Sequence, residues 1–201
     1  MKLAKILAVA ALLAAGTAQA GDWYGSIGFD QKDKLNSKTN EFHNVTSMTI
    51  GTKLGNGFSV EALVEEELVK NGSADYADEG LYQLRGNKSF NTGTIFTPYV
   101  GLAVGEKNKA TLSFPIYRYD LGTNIKITDT VGAKVNWRHR QAFDAHVHNA
   151  ATKYNTDETS VGLYYKLSAV DTIAVAYKQE RNNDGKSSEY NTTSISYSRS
   201  F

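Results

Sequence analysis

The stretch FPIYRYDLGTNIKITDTVGAKVNWRHR, Phe114 to Arg140, decides how this chain folds. Taken with a period of two, Tyr117, Tyr119, Leu121, Thr123, Ile125 and Ile127 fall on one side. Arg118, Asp120, Gly122, Asn124 and Lys126 fall on the other. After the polar break Thr128-Asp129-Thr130 the alternation resumes. Val131, Ala133, Val135 and Trp137 now oppose Gly132, Lys134, Asn136, Arg138 and Arg140. Successive side chains of a strand point to opposite faces, so this is a hairpin with one apolar face and one charged face. Both strands exceed the usual five or six residues of a soluble sheet. At roughly 3.3 Å per residue, a tilted strand of about ten residues crosses the hydrocarbon core of a bilayer. The hairpin therefore predicts a membrane-spanning β-barrel.

The ends of the chain agree. Lys2 and Lys5 precede an apolar run, Ile6 to Ala15, that is too short to cross a membrane as a helix. Ala18-Gln19-Ala20 is a small-residue cleavage site, so residues 1–20 read as an export signal and 21–201 as one mature domain. At the other end Ile195, Tyr197 and Phe201 share a face, and an alternating final strand ending in Phe resembles the C-terminal signature of bacterial outer-membrane barrels.

Composition excludes several classes. There is no cysteine, hence neither a disulfide framework nor a lipidated thiol. Lys and Arg number 22 against 21 Asp and Glu, and loss of Lys2 and Lys5 leaves 20 against 21. Such a balance gives no case for nucleic acid as a partner. Tyr is the commonest aromatic, at 12 residues, as expected where amphipathic rings sit at a lipid–water boundary.

The same alternation along the chain predicts ten strands. The expected outward faces include Ile27 and Phe29, Met48 and Ile50, Val60 and Val64, Tyr82 and Leu84, and Val100, Leu102 and Val104. Later in the chain they include Val161 and Leu163, then Ile173 and Val175. Short connections at 55–57, 91–94, 128–130 and 168–171 alternate with longer ones at 32–44, 69–79, 107–110, 144–157 and 182–188. The expected fold is an all-β, antiparallel, up-and-down transmembrane barrel, with short turns and both termini on the periplasmic side. Pro98 and Pro115 should fall near strand starts, since proline cannot donate to a ladder.

The inward face predicts a charged lumen. Arg118, Lys126, Lys134, Arg138, Arg140, Lys166 and Lys178 form an expected basic wall. Glu61, Glu65 and Glu67 form an acidic one, with Asp120 apart. A basic wall concentrates anions, and Arg grips carboxylates through two parallel bonds. Two readings of such a lumen stay open: a narrow channel for small anionic solutes such as acidic oligosaccharides, or a salt-bridged plug in a barrel that serves structure or adhesion.

The export signal, the strands bearing Arg118, Arg138 and Arg140, and the ending Tyr197-Ser198-Arg199-Ser200-Phe201 resemble small monomeric outer-membrane porins. Closest in style is the oligogalacturonate-specific porin family, which includes a sialic-acid channel. That resemblance implies a monomer in outer-membrane lipid, basic tracks along the lumen and uptake of acidic saccharides. Members usually have twelve strands, against the ten expected here.

Catalysis is the weaker alternative. Asp144, His146 and His148 share one loop, with His139 nearby, and two histidines two residues apart could face one metal. No nucleophile with a partnered base accompanies them, and His139 falls on the outward face. The expectation is a non-enzyme without metal or cofactor.

Overall fold

The computed structural model describes residues 22–35, 42–71, 75–109, 112–143, 154–183 and 189–201. The expected export signal, and with it Asp144, His146 and His148, lies outside the described residues. The described residues form ten antiparallel strands: β1 (Asp22–Leu35), β2 (Phe42–Gly55), β3 (Phe58–Asn71), β4 (Asp75–Ser89), β5 (Phe96–Lys109), β6 (Leu112–Lys126), β7 (Val131–Ala142), β8 (Asn155–Lys166), β9 (Asp171–Asn182) and β10 (Glu189–Ser200). Each pairs with its neighbours in sequence. The sheet closes where β1 meets β10, with Tyr24 opposite Ser200.

Closure leaves no sheet edge, so every backbone donor and acceptor of the wall can be satisfied within it. The faces are inverted relative to a soluble protein. Met48 and Leu102 are 63% and 62% exposed, whereas Arg118 and Asp120 are 1% and 2% exposed. The expected phase holds: Val104 lies opposite both Leu84 and Tyr117 on the outer surface, and Ala103 opposite Arg85 and Arg118 on the inner.

The expected tight turn after β2 is Asn56-Gly57. Both residues have positive φ, 49° and 77°, as a type I′ hairpin loop requires. Gly55, also at positive φ, accompanies a one-residue register shift between Lys53 and Gly55. Pro98 is the third residue of β5 and Pro115 the fourth of β6, near strand starts as expected.

The strands are longer than the alternation indicated. β3 runs on to Asn71 and β4 starts at Asp75, so three residues connect them rather than the expected 69–79. β5 runs to Lys109 and β6 starts at Leu112, leaving two. The reason lies in the outer face: Glu66, Glu106 and Asn108 point outward there, and a strand that is polar on both sides reads as loop. The barrel therefore extends past its apolar belt at the end opposite the short turns, hereafter the loop end. An aromatic cluster marks that limit on the outer wall. Tyr117 meets Tyr119 and Phe143 at centroid distances of 5.4 and 5.1 Å, and His139 stacks beside Trp137 and Tyr119 at 6.1 and 6.3 Å. His139 is thus an outward ring at the belt's edge, paired with Asp157 at 2.9 Å.

Candidate functional site

The site is the lumen. At the turn end Tyr24, Tyr99 and Tyr164 point inward, each against the glycine paired with it on the adjacent strand: Gly51, Gly122 and Gly132. A glycine leaves room for the ring to lie on the backbone, which covers the ladder and fixes the register. The Tyr24 hydroxyl donates to Glu61 at 2.5 Å and that of Tyr99 to Asn136 at 2.8 Å.

Around the Tyr99 ring a cavity of about 160 Å³ is lined by Glu61, Arg85, Tyr99, Asp120, Lys134 and Arg138, with Ser59, Asn87, Asn124 and Asn136 between them. Its carboxylates are already engaged. Arg85 pairs with Glu61. Asp120 takes Arg118 Nε and Nη2 at 2.5 and 2.9 Å, Arg138 Nε at 3.1 Å and Asn136 Nδ2 at 3.3 Å. Lys134 differs from the other cations. Its ammonium lies 4.9 Å from the centre of the Tyr99 ring, a cation–π contact, and it forms no ion pair among the described residues.

The remaining predicted residues divide into three groups. Arg118 is fully buried and also donates to Gln83 at 2.9 Å. Arg138 reaches Glu158 at 3.1 Å, Arg140 reaches Glu180 at 2.8 Å and Glu158 at 3.4 Å, and Lys178 pairs with Asp30. Glu65 faces inward, half-buried, without an ion pair among the described residues. Lys126 and Lys166 are not lumen residues: each ends its strand at the exposed turn-end rim. Lys126 pairs with Asp129 at 2.6 Å, and that hydrogen bond holds the Asp129 carboxyl below its ordinary range.

The expected segregation into a basic and an acidic wall is not what forms. Glu158 and Glu180 interleave with Arg138 and Arg140, while Lys32, Arg85 and Lys107 face the acids of β3. Sequence reasoning missed Glu158 and Lys107 because both fell in or beside segments read as loop. Their phase was available once the strands were extended. A cation buried without its counter-charge is expensive, so pairing wins over sorting by sign.

Toward the loop end these pairs become a ring. Lys32 on β1 reaches Glu67 on β3 at 3.3 Å, and Lys107 on β5 reaches the same carboxylate at 2.9 Å. Arg140 on β7 reaches Glu180 on β9, which returns to Lys32 at 3.6 Å. Each link passes over one intervening strand. His43 adds a contact to Glu67 at 2.6 Å, and Lys107 one to Glu79 at 2.9 Å. The interval between Lys107 and Arg140 is filled by an apolar cluster, Leu81, Phe114, Ile116, Ala142 and Tyr154, all buried. Ion pairs and apolar side chains together span the lumen at this level.

Comparison with solved structures agrees with the closed barrel fold. The chain is similar to an outer-membrane channel from Pseudomonas putida F1, with a TM-score of 0.61 and 10% identity over 91% of this chain and 96% of that one. The translocator domain of the autotransporter NalP from Neisseria meningitidis gives a TM-score of 0.52 and 8% identity over 100% of this chain and 98% of that one. The β domain of the Bordetella autotransporter BrkA gives 0.52 and 9%, over 91% and 100%. The fold is that of an outer-membrane β-barrel. No family model matches the chain, and no curated protein does. The likeness is one of fold and does not single out the oligogalacturonate-specific porins. Ten strands make this barrel narrow, since diameter grows with strand number.

Proposed function

We propose that this barrel sits in the outer membrane as a monomeric, narrow channel for small anionic solutes, with its turns in the periplasm. The observation that carries the reading is Lys134. It is a lumen cation facing a polar cavity, it pairs with no carboxylate among the described residues, and the acids around it are compensated by Arg85, Arg118 and Arg138. A fixed positive charge in an enclosed space raises the local concentration of anions. The cavity, about 160 Å³, is smaller than the roughly 300 Å³ at which pockets for drug-sized ligands begin. It suits a carboxylate or an inorganic anion. Acidic oligosaccharides are the large end of the same class and need a wider opening at the loop end.

Conductance of the purified barrel in planar bilayers under a salt gradient tests this. The wild type should prefer anions, and Lys134→Glu should shift the reversal potential toward cations. A folded barrel that passes no current sinks the channel, leaving a plugged structural or adhesive barrel. Selectivity unmoved by Lys134→Glu sinks the role of that residue.

A further inference from the structure

The ring at the loop end differs in kind from side to side. On the side of β4 to β7 it is packed largely by apolar side chains, with Leu81, Phe114, Ile116 and Arg118 at 0–2% exposure. On the side of β9, β10, β1 and β2 it is polar, with His43, Glu180 and Thr192 buried at 3–7%. There the inward positions below the ring are small: Ala176, Ser194 and Ser196, then Gly28 and Ser47. These groups face one another closely, since a Cβ on Gly28 would meet the Ser47 hydroxyl at 2.6 Å and the Ser196 Cβ at 3.6 Å. Below Asp30, which is held by Lys178, β1 offers only Gly28 and Ser26 to the lumen before Tyr24. Short hydroxyl side chains can replace the hydration of a passing ion.

Two long side chains cross this sector: Lys178, which reaches Asp30, and above it Lys32, whose ammonium also lies 4.9 Å from the centre of the Tyr190 ring. Lys32 reaches Glu67 on one side and Glu180 on the other. At 3.3 and 3.6 Å its links are looser than the 2.6–2.9 Å contacts that tie these carboxylates to His43, Lys107 and Arg140. Its side chain is 15% exposed, against 7–9% for those five partners. Both carboxylates keep another cation if Lys32 leaves.

We propose that Lys32 is the gate of the channel and, beside Lys134, a second selecting residue: solute passes along the hydroxyl-lined side, and an anion crosses the ring by drawing the Lys32 ammonium away from Glu67 and Glu180. This rests on the channel reading above. The anion takes the place of a carboxylate on the ammonium, so no charge is left bare during passage. A cation would meet the ammonium without such an exchange.

The test is single-channel recording of the full mature barrel in planar bilayers, with folding checked by heat-shifted gel mobility. Lys32→Met should raise conductance at least about twofold and lower the preference for anions, because it removes a barrier charge and leaves the carboxylates. Ile116→Ala, on the apolar side, should change neither. The chain contains no cysteine, so Lys32→Cys provides one thiol. Coupling an aminoethyl thiol reagent there should restore the wild-type current and selectivity, and a sulfonatoethyl reagent should not. Anion current in the wild type that Lys32→Met leaves unchanged overturns the gate and keeps the channel. An equal gain from Ile116→Ala overturns it by placing the path on the apolar side. Folded barrels silent in every variant overturn both readings.

Discussion

Tyr99 occupies the space that a side chain on Gly122 would need. A Cβ at Gly122 would stand 2.5 Å from the Tyr99 hydroxyl oxygen and equally close to the carbonyl oxygen of Val135. The ring could move only by giving up its bond to Asn136, and the carbonyl cannot move without the β7 ladder. Gly122→Ala should therefore destabilise the barrel by about 1–3 kcal/mol, the usual range for overpacking. At Gly132 the atoms in the way all belong to the Tyr164 ring, which can swing, so Gly132→Ala should cost less. Urea unfolding in lipid vesicles ranks the two, and the reverse order would refute this account of the tyrosine contacts.

Arg138 and Lys134 separate stability from selectivity. Arg138 lies between Asp120 and Glu158, and its removal leaves two buried carboxylates short of a partner. Arg138→Ala should cost about 3 kcal/mol, the low end for breaking a buried pair, since Arg118 and Arg140 remain. Lys134→Ala breaks no ion pair and should cost far less while reducing anion preference. Unfolding curves combined with reversal potentials give both quantities, and equal destabilisation by the two variants would contradict the assignment.

The difference between these two residues lies in the register, which sets Arg138 opposite Asp120 and Glu158 but Lys134 opposite Asn124 and Gly162. The period of two placed both inward, and the strand count and outward belt followed from the same pattern. Partnership in the ring did not follow, because Lys32–Glu67, Lys107–Glu67 and Arg140–Glu180 all pass over an intervening strand. Such pairs depend on how narrow the closed barrel is, a global property. The strand ends were hidden for a different reason. Beyond the lipid the outward positions turn polar, as at Glu66 and Glu106, and the alternation fades although the ladder continues. Phe114 and Ile116 did carry a signal. They are in phase with Arg118 and so inward, two apolar residues where the lumen pattern called for polar ones.

Those two residues hold the apolar part of the closure. Phe114 lies beside Tyr154 at a centroid distance of 5.5 Å, both buried. Phe114→Ala should cost about 3–5 kcal/mol, as truncation of a buried aromatic does. Since the proposed path runs on the opposite side, current through the refolded variant should match the wild type. A large new conductance would show that this cluster, rather than Lys32, closes the lumen.

The turn at Asn56-Gly57 sets the register of β2 against β3. Gly57 has φ 77°, and a Cβ there would collide with the Ser89 carbonyl oxygen. Left-handed backbone alone costs a non-glycine residue about 1–2 kcal/mol, so Gly57→Ala should lose at least that much. Asn56→Gly keeps a residue suited to φ 49° and should be close to neutral. Equal stability of the two variants in vesicles would show that the hairpin tolerates another turn.

The apolar belt is the premise of the whole reading, and charge placed on the wall tests it directly. Leu102 is 62% exposed near the middle of β5, with Val100 and Val104 outward on either side. If lipid covers it, Leu102→Arg should destabilise the barrel by about 2–4 kcal/mol in vesicles, the cost of a cation near the bilayer midplane. Glu66 also points outward, on β3, but beyond the belt toward the loop end. Glu66→Arg should change stability by only about 0–1 kcal/mol, as at an interface. The contrast should shrink in a micelle, which deforms around a charge more readily than a bilayer does. Similar costs at both positions in vesicles would mean that the belt is not where the membrane lies.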